Sequence, residues 1–131
     1  MAREYNPDKF TMIENKIIEN AFSRLNLTGR QWRVLWVIIR HTLGYGVFSA
    51  MLTYRQISRE TAIDVRNTHE TVHGLLDMNI IQSARTKLKT RKINFIINMD
   101  YNSWKVDFHK SVLQKVIEAN LQRLFNELCQ S

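Results

Sequence analysis

The order of hydrophobic patterns along this chain predicts an α+β fold, and three observations carry that reading. A helical periodicity over Gly29–Thr42 is followed by a short helix at Tyr54–Glu60, a tight connection Thr61-Ala62-Ile63, and another helix from Asp64 to about Met78. Two extended segments, Ile80–Ala84 and Lys92–Asn98, come directly after it and flank the basic loop Arg85–Arg91. Thr53 and Asp64 stand just before two of the helices, where a side-chain oxygen can accept from an orphan backbone N–H. A helix–turn–helix followed by a β-hairpin is a winged helix-turn-helix, here with an N-terminal helix and an added C-terminal helix.

Taken in order, residues 1–12 read as a polar arm holding the single proline, Pro7. Ile13, Ile17, Ile18, Ala21, Phe22 and Leu25 recur at helical spacing and predict one amphipathic helix over Ile13–Leu25. Asn26-Leu27-Thr28-Gly29 breaks it, and Thr28 is a cap for the next helix. That helix has Trp32, Leu35, Trp36, Ile39 and Leu43 on one side, widened by Val34, Val37 and Ile38, as suits a central element. Gly44-Tyr45-Gly46 ends it. A short extended piece at Phe48–Leu52 precedes the capped helix anchored by Ile57. After Asp64, the buried stripe is expected from Val65, Thr68, Val72, Leu75 and Leu76, with Asn79 as the left-handed stop. Ile93, Phe95 and Ile97 then alternate along the last strand. All three tryptophans, Trp32, Trp36 and Trp104, are expected in or at the corner of the core. These elements make one domain over 13–105.

The tail, Asp107–Leu128, returns to helical spacing with Phe108, Val112, Leu113, Val116, Ile117, Leu121, Leu124, Phe125 and Leu128 on a broad apolar face. Leaving such a face in water costs about 25 cal/mol per Å². It therefore packs back on the domain, pairs with a second copy, or docks another protein. Val116, Ile117, Leu121, Leu124 and Leu128 are the residues expected at a dimer or partner contact.

Charge narrows the function classes. The 131 residues carry 19 Lys and Arg against 12 Asp and Glu, a formal net charge of +7. The excess sits in residues 1–50, at +3, and 51–105, at +4, while 106–131 is neutral. Arg85, Lys87, Lys89, Arg91 and Lys92 place five positive charges in one short stretch without an acid. A basic balance of this kind suits a nucleic-acid partner. One cysteine, Cys129, rules out an intramolecular disulfide framework and fits a reducing compartment. The N-terminus carries no apolar run of the signal-peptide kind, and the longest apolar stretch, Val34–Ile39, is too short to span a bilayer. No membrane partner is expected, and the expected location is the cytoplasm or nucleoid of a bacterial host cell.

The helix after the tight connection leaves Arg66, Asn67, His69, Glu70 and His73 off its buried stripe. Arg66 and Asn67 lie in the first turn, where a recognition helix meets base edges. Arginine donates twice to guanine O6 and N7, asparagine pairs with adenine N6 and N7, and glutamate accepts from cytosine N4. Arg66, Asn67, His69 and Glu70 are thus the candidates for base reading. Thr53, Tyr54, Arg55 and Arg59 are the candidates for phosphate, because the first helix of such a motif crosses the backbone. Arg85, Lys87, Lys89, Arg91 and Lys92 form the expected wing, lying on phosphates or entering a minor groove.

Catalysis is not expected. His69-Glu70-Thr71-Val72-His73 does match the His-Glu-x-x-His pattern of zinc peptidases. A third ligand and an open cleft are needed as well, and the sequence offers no second motif for them. No metal and no cofactor are expected.

Phe10-Thr11-Met12-Ile13-Glu14-Asn15, Leu27-Thr28-Gly29-Arg30-Gln31-Trp32-Arg33-Val34-Leu35, Ile38-Ile39-Arg40-His41-Thr42-Leu43-Gly44-Tyr45, Leu52-Thr53-Tyr54-Arg55-Gln56-Ile57 and Asn98-Met99-Asp100-Tyr101-Asn102-Ser103-Trp104 form a combined signature. By it the chain resembles, over residues 10–104, the N-terminal winged-helix DNA-binding domain of phage replication proteins of the lambda O type. The resemblance implies binding to repeated sites in a phage replication origin, usually as a dimer, at the start of replisome assembly. It also places Thr53 and Gln56 on the first helix of the motif and Arg66, Asn67 and Glu70 on the recognition helix. Members commonly carry a longer C-terminal region that engages the helicase-loading machinery. Here only 107–131 follows, so helicase recruitment is not expected of this chain. Val47-Phe48-Ser49-Ala50-Met51 is more apolar than the family's usual loop and is expected to be a contact surface.

Sequence-specific binding to double-stranded DNA in replication initiation is therefore the expected function. The alternatives are a winged-helix transcriptional repressor and a non-enzymatic adaptor or inhibitor of phage or mobile-element origin. Expected partners are duplex DNA, a second copy through the C-terminal helix, and a replication or host protein.

Overall fold

Thr28 starts the central helix. Its Oγ1 accepts from the Gln31 N–H at 3.2 Å while Gln31 Oε1 accepts from the Thr28 N–H at 3.0 Å, a reciprocal cap for two orphan donors. The computed structural model, which describes residues 6–84, 91–108 and 112–130, builds the rest of the molecule around this element. In chain order the elements are α1 (Asn15–Asn20), α2 (Gly29–His41), β1 (Ser49–Leu52), α3 (Tyr54–Thr61), α4 (Val65–Asp77), β2 (Ile81–Ala84), β3 (Ile93–Ile97) and α5 (Val112–Gln130). Short 3₁₀ turns lie at Phe22–Arg24, Leu43–Tyr45 and Tyr101–Ser103.

The sheet is antiparallel throughout, in the order β1-β3-β2. Phe95, at its centre, pairs with Ala50 on one side and Ser83 on the other and is fully buried. Helices α2, α3 and α4 cover the core with Leu35, Ile38, Ile39, Ile57, Val72 and Leu75, none more than 1% exposed. The result is a winged helix–turn–helix in an α+β fold. The tip of the expected wing, 85–90, lies outside the described residues.

Three local expectations are corrected. The N-terminal helix is not continuous from Ile13 to Leu25. It stops at Asn20, and Ala21 takes φ −126° and ψ −68° before the 3₁₀ turn. Without a side-chain cap, the short helix yields to tertiary contacts. The bend sends Phe22 against Trp32, Trp36 and Trp104 at centroid distances of 6.4, 6.4 and 5.8 Å, and leaves Ile18 exposed. Trp36 is not a core residue but stands half out of this cluster, 50% exposed. Val65 is exposed as well, because it begins α4 and the buried side is taken by Thr68, Thr71, Val72 and Leu75. The two threonines satisfy their hydroxyls on helix carbonyls, Thr68 on Asp64 at 2.9 Å and Thr71 on Asn67 at 2.7 Å.

The joints of the motif are specific. Ala62 sits in the left-handed region at φ 56° between α3 and α4, and the Arg33 guanidinium donates to the Thr61 carbonyl beside it. Asn79 ends α4 at φ 58°, as its type predicts. Its carbonyl accepts from Asn98 Nδ2 at 2.8 Å, and the Asn98 carbonyl accepts from the Trp104 indole N–H at 2.8 Å. This lattice pins the base of the hairpin to the end of α4. Helix α5 is different, since every residue over 115–130 is exposed.

Candidate nucleic-acid interface

The outward line of α4 is Arg66, Glu70, His73 and Asp77, spaced four, three and four apart and all exposed. Arg66 has no hydrogen-bond or ion-pair partner among the described residues, so its fork of donors is available. His73 completes the line. Its signal in the sequence was its seven-residue spacing from Arg66.

Asn67 is held otherwise. Asp64 caps α4 by accepting from the Asn67 backbone N–H at 3.3 Å, and its other carboxylate oxygen accepts from Asn67 Nδ2 at 2.5 Å. The Asn67 amide and then its N–H are the main reasons the Asp64 carboxyl is held below its ordinary pKa. The side chain is half-buried and its amide donor is already engaged.

His69 stands exposed on the flank of α4 facing α3. Its ring stacks on Tyr54, with centroids 3.7 Å apart and planes inclined by 23°. Tyr54 in turn meets Phe95 edge-on at 6.2 Å and 80°. Burial raises the Tyr54 hydroxyl above its ordinary pKa, so it remains a neutral phenol. This contact between two helices has no sequence signal, because neither residue type nor spacing announces it.

Thr53 caps α3 through the Gln56 N–H at 3.0 Å, which spends the hydroxyl as an acceptor but leaves its proton available. Arg55 and Arg59 are exposed, one turn apart, and unpaired among the described residues. At the far end of α3, Glu60 holds His41 Nε2 at 2.9 and 3.1 Å through its two oxygens, tying α3 to α2. Of the expected wing, Arg91 and Lys92 are exposed just ahead of β3, and Arg85, Lys87 and Lys89 lie outside the described residues. The structure therefore brings Tyr54 and His69 into contact and sets Arg66 on the open face of α4. It sets Arg55 and Arg59 on the preceding helix.

Among the described residues no group of three or more His, Cys, Asp or Glu could hold a metal ion. His69 and His73 share exposure, and the face of His69 is taken by Tyr54. No helix among the described residues is long and apolar enough to cross a membrane. On α5, Val116, Ile117, Leu121, Leu124 and Leu128 are 51, 48, 60, 53 and 75% exposed.

A three-helix motif with a three-stranded antiparallel sheet, whose last two strands follow the motif, defines the winged helix–turn–helix class. Residues 4–104 match the family model described as bacteriophage replication protein O, and the chain belongs to that family. It is similar to replication protein O of Escherichia phage lambda, with 35% identity over 75 residues. That alignment covers 57% of this chain and 22% of the lambda protein, so the chain spans only a fraction of that relative's length. No solved structure matches it.

Proposed function

We propose that this chain binds duplex DNA sequence-specifically, at repeated sites in a phage replication origin, and takes part in initiating replication there. The observation that carries the reading is Arg66, exposed and unpaired among the described residues, at the start of a helix whose opposite face is locked into the core. Membership in the replication protein O family supports replication as the setting.

In this reading α4 enters the major groove by its first turns and Arg66 donates to a guanine edge. Glu70 and His73 follow along the same line. Asn67 would have to release Asp64 before it could donate to adenine, whereas Arg66 needs no such exchange. Arg55 and Arg59, with the N-terminus of α3, hold phosphates, and Arg91 and Lys92 hold the backbone beside the hairpin. The bare face of α5 joins two copies, so that paired half-sites follow the symmetry of the dimer. The chain then works in the host cell's cytoplasm or nucleoid without a cofactor or catalytic step of its own.

Selection of bound duplexes from a randomised library, with the footprint measured, tests the reading. A defined motif repeated at a fixed spacing is the expected result. Enrichment of no motif would overturn it. Sedimentation of the full chain beside a Leu121→Glu, Leu124→Glu variant tests α5, with loss of the dimer in the variant expected.

A further inference from the structure

We infer that Tyr54 is a positioning residue for base reading: its ring holds the His69 imidazole against α3 so that an imidazole edge faces the groove at a fixed angle. The inference rests on the groove reading proposed for α4.

Three observations support it. The Tyr54 and His69 rings are stacked at 3.7 Å with their planes only 23° apart, so one face of the imidazole is covered and its rotation restricted. The ring nitrogens of His69 make no hydrogen bond among the described residues, although the residue is exposed. A histidine held by its face and free at its edge can offer hydrogen bonds only in the ring plane, and base edges are read by in-plane contacts. Tyr54 itself is anchored edge-on against Phe95, which is fully buried at the centre of the sheet. An exposed side chain on α4 is thereby referred to the rigid core through two aromatic contacts.

The same geometry gives the Tyr54 ring a role beside the phosphate contact expected of its position on α3. Its ring is committed to His69 and Phe95, while its hydroxyl, kept protonated by burial, remains a donor. A positioning role acts on preference among bases, whereas a phosphate contact acts on all sequences alike.

The test compares the full chain with Tyr54→Phe, Tyr54→Leu, His69→Ala and the double variant Tyr54→Leu, His69→Ala. Binding of each is measured across a library substituted at every position of the selected site. Thermal melts confirm that each variant is folded. His69→Ala should lose about tenfold in preference at one base pair, the size expected for one hydrogen-bonded base. Tyr54→Leu should lose preference at that same base pair, and the double variant should lose no more than His69→Ala. Tyr54→Phe, which keeps the ring, should retain the wild-type preference. Uniform weakening alone in Tyr54→Leu, additive losses of preference in the double variant, or loss of preference in Tyr54→Phe would overturn the inference and leave the α4 reading standing. A wild type without sequence preference would overturn both.

Discussion

Helices α4 and α5 carry apolar residues at the same helical spacing, yet one is buried by its own chain and the other is bare. In α4, Val72 and Leu75 are inaccessible to solvent, packed under α2 and α3. In α5, Leu121 and Leu124 are more than half exposed. The difference lies in what surrounds each helix. Helix α4 is capped by Asp64, stopped by a left-handed Asn79, and enclosed by partners that the short connections on both sides force against it. Helix α5 comes after the Phe108 ring, which stacks on Trp104 at 6.3 Å at the edge of the domain. An apolar stripe says that a face has a use, but the covering partner is decided by topology.

The sharpest way to break this comparison is to truncate both helices alike. Leu75→Ala should destabilise the fold by about 2–5 kcal/mol, since a fully enclosed side chain leaves a cavity behind. Leu121→Ala, in dilute protein where copies are apart, should stay within about 0.5 kcal/mol of wild type. Urea denaturation of the two variants measures it. A large loss in the second would mean that α5 is covered by its own domain.

The next effect concerns the outer face of α4 alone. Arg66→Ala should cost about 1–3 kcal/mol of binding and relax selectivity at one base pair, without lowering the melting temperature. The matching change on α5, Arg123→Ala, should leave DNA preference intact. Equal selectivity of wild type and Arg66→Ala across a randomised library would remove Arg66 from its role.

Between these lies the preceding helix. Arg55→Ala and Arg59→Ala should each weaken binding to every sequence and lower the slope of log affinity against log salt by roughly one for each phosphate no longer neutralised. Titrations at several salt concentrations check it, and a change in sequence preference instead would make these arginines readers of bases.

How far the sequence could be read follows the same division. The caps at Thr28, Thr53 and Asp64 and the stop at Asn79 are local chemistry, a side chain serving a backbone group a few residues away, and all four stand as read. The alternation Ile93, Phe95, Ile97 likewise located β3. Tertiary choices escaped it. The break at Ala21 depends on the pull of three tryptophans on Phe22, and the exposure of Trp36 depends on which of them reaches the core. At the candidate interface, Arg66 was legible because helical spacing alone turns it outward. The engagement of Asn67 by Asp64 was hidden behind the cap itself, and the Tyr54–His69 stack depends on how α3 crosses α4.

The smallest expected effect sharpens the comparison at its electrostatic end. The Asn67 side chain and backbone hold the Asp64 carboxyl below its ordinary pKa, so folding favours the ionised form. A carboxyl lowered in this way contributes stability that is fully present above its unfolded pKa. That stability is lost as pH falls through the lower, folded value. Asp64→Asn keeps a capping oxygen but cannot titrate. Wild type should therefore be the more stable of the two near neutrality, and the gap should close on acidification. The residue is fully solvated, so the gap should be small and should shrink further in salt. Parallel melts of both proteins from neutral to acidic pH measure it. Curves that stay a constant distance apart would mean that the cap works through geometry alone. Leu121→Ala, which alters only the bare face of α5, should follow the wild-type curve throughout.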